Sequence, residues 1–226
     1  MAKTPWLTVW THPRETVAAI AAKNPKQELW WLSAIYGFSS VLNSFQSLLI
    51  GQHVHIFLIF LLAAALSPLW GYVSISVWSW IVALTGKWLK GAGDFQTVRC
   101  AYAWSCVPLL INIPLWSILF VLFGSSLFTN FTEPQLLTQI QVTCLFLILL
   151  ARVVAVIWSL VIYINALAAV QQFSILRAIG NILSAGALVF AVFYLFFYLF
   201  NLIVQPMPQP TSLLIDLNLS QTLRYL

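Results

Sequence analysis

The sequence predicts an all-α polytopic membrane helix bundle with five transmembrane helices, N-terminus inside and C-terminus outside, preceded by a short N-terminal amphipathic helix. Two observations carry this. Hydrophobic residues make up 62% of the 226 and charged residues 7%, against about 45–50% and about 25% in soluble domains. Nearly every Lys and Arg also falls between long apolar runs rather than inside them. In a soluble chain the net charge of +5 would point to nucleic acid. Spread this way it points to anionic headgroups and topology, and no nucleic-acid partner is expected. The expected organisation is one membrane domain over 1–226: an inner arm (1–29), a five-span bundle (30–204) and an outer tail (205–226).

In the arm, Thr11 or His12 precedes Pro13, a favoured first helical residue, and Glu15 suits the positive end of a helix. Val17, Ile20 and Ala21 recur at i, i+3, i+4. The helix they predict either lies on the inner surface, where lipid or a partner would meet it, or packs on the bundle as a lead-in. Residues 1–28 are polar and basic, so the first span is expected to act as its own insertion signal. That span is Trp30–Ile50, opened by paired Trp at the headgroup boundary.

The next apolar stretch, His55–Trp88, would reach roughly 50 Å as one helix, against about 30 Å of hydrocarbon. Ser67-Pro68 reads as an N-cap followed by a first-turn proline. Span two is therefore placed at Pro68–Lys87 and residues 55–66 are read as a re-entrant or interfacial helix, with one long kinked helix as the alternative. Span three is Arg99–Phe123, with Pro108 and Pro114 inside it. Span four is Gln139–Asn165 and span five Ile182–Val204. The Pro-rich stretch after Val204 suggests an extended path.

Loop charge gives the direction. With five spans, Lys3, Arg14, Lys23, Lys26, Lys87, Lys90, Arg99 and Arg177 share one side. The other side has only Arg224. The positive-inside rule then puts the N-terminus in and the C-terminus out. A separate crossing at 55–66 would split the first two basic clusters between faces. A weak parallel repeat accompanies this layout: Trp80, Phe95 and Arg99 have the spacing of Trp158, Phe173 and Arg177.

Arg152 lies in the middle of span four. An Arg at that depth costs at least about 2.5 kcal/mol. None of the five acids, Glu15, Glu28, Asp94, Glu133 and Asp216, falls in a span. Its expected partners are amides, carbonyls, water or an anionic ligand. Asn43 and Gln46 on span one and Asn112 on span three are the candidate amides. Two roles stay open, a structural hydrogen-bonding hub and an anion or lipid-phosphate site.

Other chemistry is thin. Cys100, Cys106 and Cys144 sit in apolar runs without a Cys-x-x-Cys, as packing thiols do. His53 and His55 have no nearby Cys, Asp or Glu to complete a metal site. The glycines at 86, 91 and 93 permit a tight turn, but no strand precedes them and no Gly-Lys-Ser/Thr closes them as a phosphate loop. No nucleophile-and-base set is visible. The expectation is a non-enzyme with no cofactor and no metal.

Three segments resemble prokaryotic members of the Ypt-interacting-protein (Yip) domain family: Trp10-Thr-His-Pro13-Arg14-Glu-Thr16, Gly91-x-Gly93-Asp-Phe95 with Ala101-Tyr-Ala-Trp104 and Pro108, and Gln172-Phe173-Ser-x-x-Arg177-Ala178. They fall in order over about residues 6–204. The resemblance implies five spans and an inside N-terminus. It points to Trp10, Pro13, Arg14, Gly91, Gly93, Phe95, Arg99, Phe173 and Arg177 as inner-face contacts for a partner or lipid. Eukaryotic relatives are linked to Rab-type GTPases and vesicle traffic between endoplasmic reticulum and Golgi. This chain lacks their long cytosolic N-terminal region and its Asp-Leu-x-Gly-Pro segment, which puts GTPase binding in doubt and favours a bacterial cytoplasmic membrane over an endomembrane. The expected role is an adaptor or scaffold. Its expected partners are the lipid bilayer, proteins on the inner side and further copies of itself. The alternative is a small channel or transporter with an anion or lipid site near Arg152.

Overall fold

A computed structural model describes residues 4–129 and 137–204. Among them are eight α-helices and no strand. The tail at 205–226 lies outside the described residues.

The arm is two helices, α1 (Pro5–Thr11) and α2 (Pro13–Lys23), hinged at His12. Prolines at both helix starts fix φ where an N–H would be unpaired in any case. Val17, Ile20 and Ala21 are buried, as their spacing predicts. They pack with Val9 against Cys100, Ala101 and Trp104 of α5 (Phe95–Ser105) and Ile162 and Ala166 of α7 (Gln139–Val170). Trp6 closes on the buried Trp104 ring at 5.3 Å between centroids. Of the two placements open to the arm, the structure has the one that packs on the bundle.

Helix α3 (Leu29–Ser47) runs antiparallel to α4 (Ile56–Trp88), with Ser33 against Gly71 and Gly37 against Ser67. A Cβ on Gly37 would run into the Ser67 carbonyl, and one on Gly71 into the Ser33 carbonyl. Ser33-x-x-x-Gly37 thus meets Ser67-x-x-x-Gly71, the small-residue arrangement that lets backbones touch where no aqueous hydrophobic effect drives helices together.

The break expected at Ser67-Pro68, and with it the separate re-entrant helix at 55–66, is overturned. Helix α4 is continuous for 33 residues with Pro68 inside it. Pro68 leaves the Ala64 carbonyl without its i+4 donor. The Ser67 hydroxyl donates to that same carbonyl at 2.9 Å. What looked like a cap is a repair within the helix. The cap at the true start is His55, whose Nδ1 accepts the Phe57 N–H at 3.3 Å.

Span three is jointed. Helix α5 gives way to a 3-10 turn at Val107–Ile111 and then α6 (Asn112–Phe123). Pro108 stands at the joint. Helix α7 starts at Gln139 through a reciprocal Thr138–Gln141 capping box and ends at Val170, beyond the expected Asn165. Helix α8 (Ile175–Val204) starts before the expected Ile182. Among the described residues, four stretches are long and apolar enough to cross a membrane: Ile56–Trp88, Phe95–Phe128, Gln139–Val170 and Ile175–Val204.

By backbone proximity the chain divides at Ala185. In the first unit the early part of α8 packs Ala178 and Ala185 with Val82, Ala83, Tyr163 and Leu167. The second unit begins at Gly186. From Phe190 to Val204 its helix is exposed on every face and almost wholly apolar, the surface of a lipid-facing span.

Candidate functional site

Two buried polar arrangements stand out. One is a junction at the end of the bundle where the arm docks. The other is Arg152 on α7.

At the junction the glycine loop after α4 folds against the loop after α7. The Gly93 N–H donates to Gln171 Oε1 at 3.1 Å, and the Ala92 N–H to the Gln171 carbonyl at 3.2 Å. Gly91 has no room for a Cβ, which would meet Gln171 Oε1 and Phe173. The Thr85 hydroxyl lies 2.7 Å from Asn181 Oδ1. Gln171 Nε2 and Asn181 Nδ2 lack partners, and both face Gly86. The Thr85 hydroxyl is also 3.2 Å from the Ile81 and Val82 carbonyls. A half-turn of the Asn181 amide would pair its NH2 with Thr85 and turn its oxygen toward Gln171. This junction holds donors and acceptors enough to close on itself.

Gly93 and Gln171 are 78 positions apart, the spacing of the sequence repeat. Its Phe-x-x-x-Arg pairs both stack: Arg99 over Phe95 at 4.8 Å and Arg177 over Phe173 at 5.6 Å. Their surroundings differ. Arg177 is exposed and Phe173 buried. Arg99, expected as an inner-face contact, is buried between α4 and α5. It donates to Tyr72 Oη at 2.9 Å and Ser76 Oγ at 3.5 Å and lies 5.3 Å from the Tyr72 ring. Cation–π contact with two rings and two hydroxyl acceptors at Nη1 offset part of its desolvation without an acid, and its buried Nε has no partner among the described residues. Asp94, in the same loop, caps α5. The Thr97 N–H donates to it at 2.9 Å and the Thr97 hydroxyl at 2.7 Å. These bonds hold its carboxyl below the usual carboxylate value.

Of the remaining arm residues, Pro13 opens α2 and Arg14 is exposed. Trp10 and Trp158 together border two adjoining grooves of about 430 and 490 Å³ along α7.

Arg152 has a different character. Its guanidinium lies over the Trp116 ring of α6, 5.0 Å from the centroid. Its Nε and Nη2 are buried without a partner, and so is Trp116 Nε1. The expected amides do not reach it. Asn43 is exposed, Gln46 lines a groove at the end opposite the arm, and Asn112 is half-buried at the start of α6. Trp116 was not legible as a site residue, since one Trp among 11 carries no special spacing. No group of three or more His, Cys, Asp or Glu that would hold a metal occurs among the described residues.

The helices and their lipid-facing surfaces define an all-α integral membrane protein. Its relationship follows from the Yip1 domain profile, which matches residues 7–197: the chain belongs to the Yip1 domain family. No curated protein and no solved structure matches it at a significant level.

Proposed function

We propose that this protein is a non-enzymatic membrane scaffold whose arm offers a docking face to a protein partner on the inner side of a bacterial cytoplasmic membrane. The observation that carries the reading is the division of the arm into two faces. One is occupied: Val9, Val17 and Ile20 are buried on α5 and α7. The other holds a cleft of about 550 Å³ between α1 and α2, lined by Thr8, His12, Glu15, Lys23 and Gln27 among others. Its mixed polar lining suits a polar protein segment better than an acyl chain. An inner arm rests on counting α3 as a fifth crossing beside the four stretches long and apolar enough to span. Helix α3 follows α4 antiparallel through the Ser33/Gly71 and Gly37/Ser67 contacts, so it crosses where α4 does. The loop charges then favour the arm side as inside.

The test is a photo-crosslinking residue at exposed Ala19, compared with one at lipid-facing Val156, in the full chain in its own membrane. A discrete protein adduct at 19, absent at 156 and lost with Glu15→Lys, is expected. Lipid adducts alone at both positions would sink the reading.

One observation favours transport as a second reading. A groove of about 400 Å³ at the end opposite the arm is lined by Gln46, Ser126, Thr129 and Leu145. Leu145 lies about two turns before Arg152 on one face of α7. Replacing the native cysteines and introducing Arg152→Cys allows labelling with a membrane-impermeant maleimide. Rapid reaction would put transport first, and no reaction would remove it.

A further inference from the structure

We infer that one phospholipid is held between the arm and α7, with an acyl chain in the groove along α7 and its head at the arm hinge. This site has no lining residue in common with the cleft assigned to a protein partner. The inference therefore stands or falls apart from that reading.

The groove follows one face of α7. Leu147, Leu150, Val154 and Trp158 line its first part, and Val161 and Asn165 its second, positions that recur every three or four residues. From Leu147 to Trp158 the helix rises about 16 Å, close to half of the roughly 30 Å of hydrocarbon. Ala151 and Ala155 keep the floor low, and Ala155 is buried. Across from them stand Pro108 and Ile111, at the 3-10 joint of span three. Apart from two indole N–H groups, every side chain lining this part is apolar. Those indoles, Trp10 of the arm and Trp158, border both parts. Val9, beside Trp10, is buried on the bundle and fixes that part of the arm. Past the indoles the lining changes to Thr11, Pro13 and Asn165. The Asn165 amide donates to the Val161 carbonyl at 2.8 Å and has a second N–H and an oxygen to offer. Arg14, exposed, follows Pro13. Paired indoles where an apolar lining gives way to a polar one suit the headgroup level.

An occupant must be apolar for about one leaflet, polar beyond the indoles, and able to enter sideways from the bilayer, since Ile111, Leu150 and Val154 are exposed along the groove. A phospholipid meets all three conditions. The width excludes a helix. The apolar part holds about 490 Å³, and over about 16 Å that is a channel roughly 6 Å across, against about 10 Å for a helix with its side chains. One hydrocarbon chain fits such a space. Protein borders it on three sides, through α7, the joint and the arm, whereas lipid over the later part of α8 meets a helix exposed all round. That difference separates a retained lipid from exchanging ones.

The test uses the full chain in phosphatidylglycerol nanodiscs carrying a trace of phosphatidylglycerol with a photoactivatable acyl chain. Adducts mapped by mass spectrometry should concentrate on Ile111, Leu150 and Val154 over Val153, Val156 and Ile157, exposed positions of α7 outside the groove. After extraction into detergent, native mass spectrometry should find a single retained lipid. Ala151→Phe fills the floor and should lower that retention roughly tenfold or more, while Val156→Phe leaves it unchanged. Asn165→Leu keeps the apolar part open and removes the amide, so it should weaken retention in a folded protein even if Ala151→Phe does not fold. Even labelling around α7, with equal retention by wild type and the folded variants, would mean surrounding bilayer lipid only and would overturn the proposal. So would a disulfide between two chains through Val154→Cys, native cysteines replaced, with no lipid retained, because a second copy would then fill the groove.

Discussion

Gly71 is a position where one atom decides packing. Its missing Cβ is the space filled by the Ser33 carbonyl. Gly71→Leu should push α3 off α4 and cost about 1–3 kcal/mol, as overpacking does, read by denaturant unfolding in detergent. Val73→Leu, on the exposed side of the same helix, should change stability by about 0.5 kcal/mol or less. The two Ser-x-x-x-Gly pairs do not stand out in the sequence, and Ser67, standing beside Pro68, reads there as a cap. The choice between cap and repair depends on whether Ser67 bonds forward to an N–H or back to Ala64, and local sequence is the same in both cases. Asp94 was legible as a loop acid but not as a cap. Because its carboxyl is held below 3.8 by the Thr97 bonds, it stabilises the fold at pH values above that and loses the contribution as pH falls through its lowered value. The thermal midpoint should therefore drop in acid below 3.8 by more in wild type than in Asp94→Asn, which keeps an oxygen acceptor but does not titrate.

At the scale of elements, type was legible and extent was not. Helix α7 begins at Gln139, the expected start of span four, yet it and α8 extend past their expected arm-side limits. Apolar windows measure what lipid requires. The added turns are held by protein instead: Ala166 and Leu167 of α7 and Ala178 of α8 are buried. Arg99 was misplaced for the same reason, since a basic residue at a span's edge looks like a loop charge until Tyr72 and Ser76 are brought beside it. The later part of α8 makes the converse case. Phe193 and Phe196 are both about 70% exposed. Phe193→Arg and Phe196→Arg should impair insertion alike, by about 2.5 kcal/mol near the bilayer centre and less toward its edge. A glycosylation-reporter insertion assay reads this directly. A large asymmetry between them would reveal a covered face.

At the scale of the whole molecule, the arm and both loops of the polar junction should report the same side of the membrane. Single cysteines at Thr11, Ala92 and Ser174, all exposed, should react with an impermeant thiol reagent from one side and a cysteine at His53 from the other. Position 92 suits this better than 91, where Gln171 leaves no room. The docked arm also has a consequence for synthesis. Its residues leave the ribosome before the α7 surface that receives them, at Ile162 and Ala166, which is translated more than a hundred residues later. At ordinary elongation rates of about 5–20 residues per second, that interval is roughly 7–30 s. Throughout it Val9, Val17 and Ile20 lack the α7 part of their cover, and the nascent chain must shelter what α5 leaves open on a chaperone or on the membrane surface.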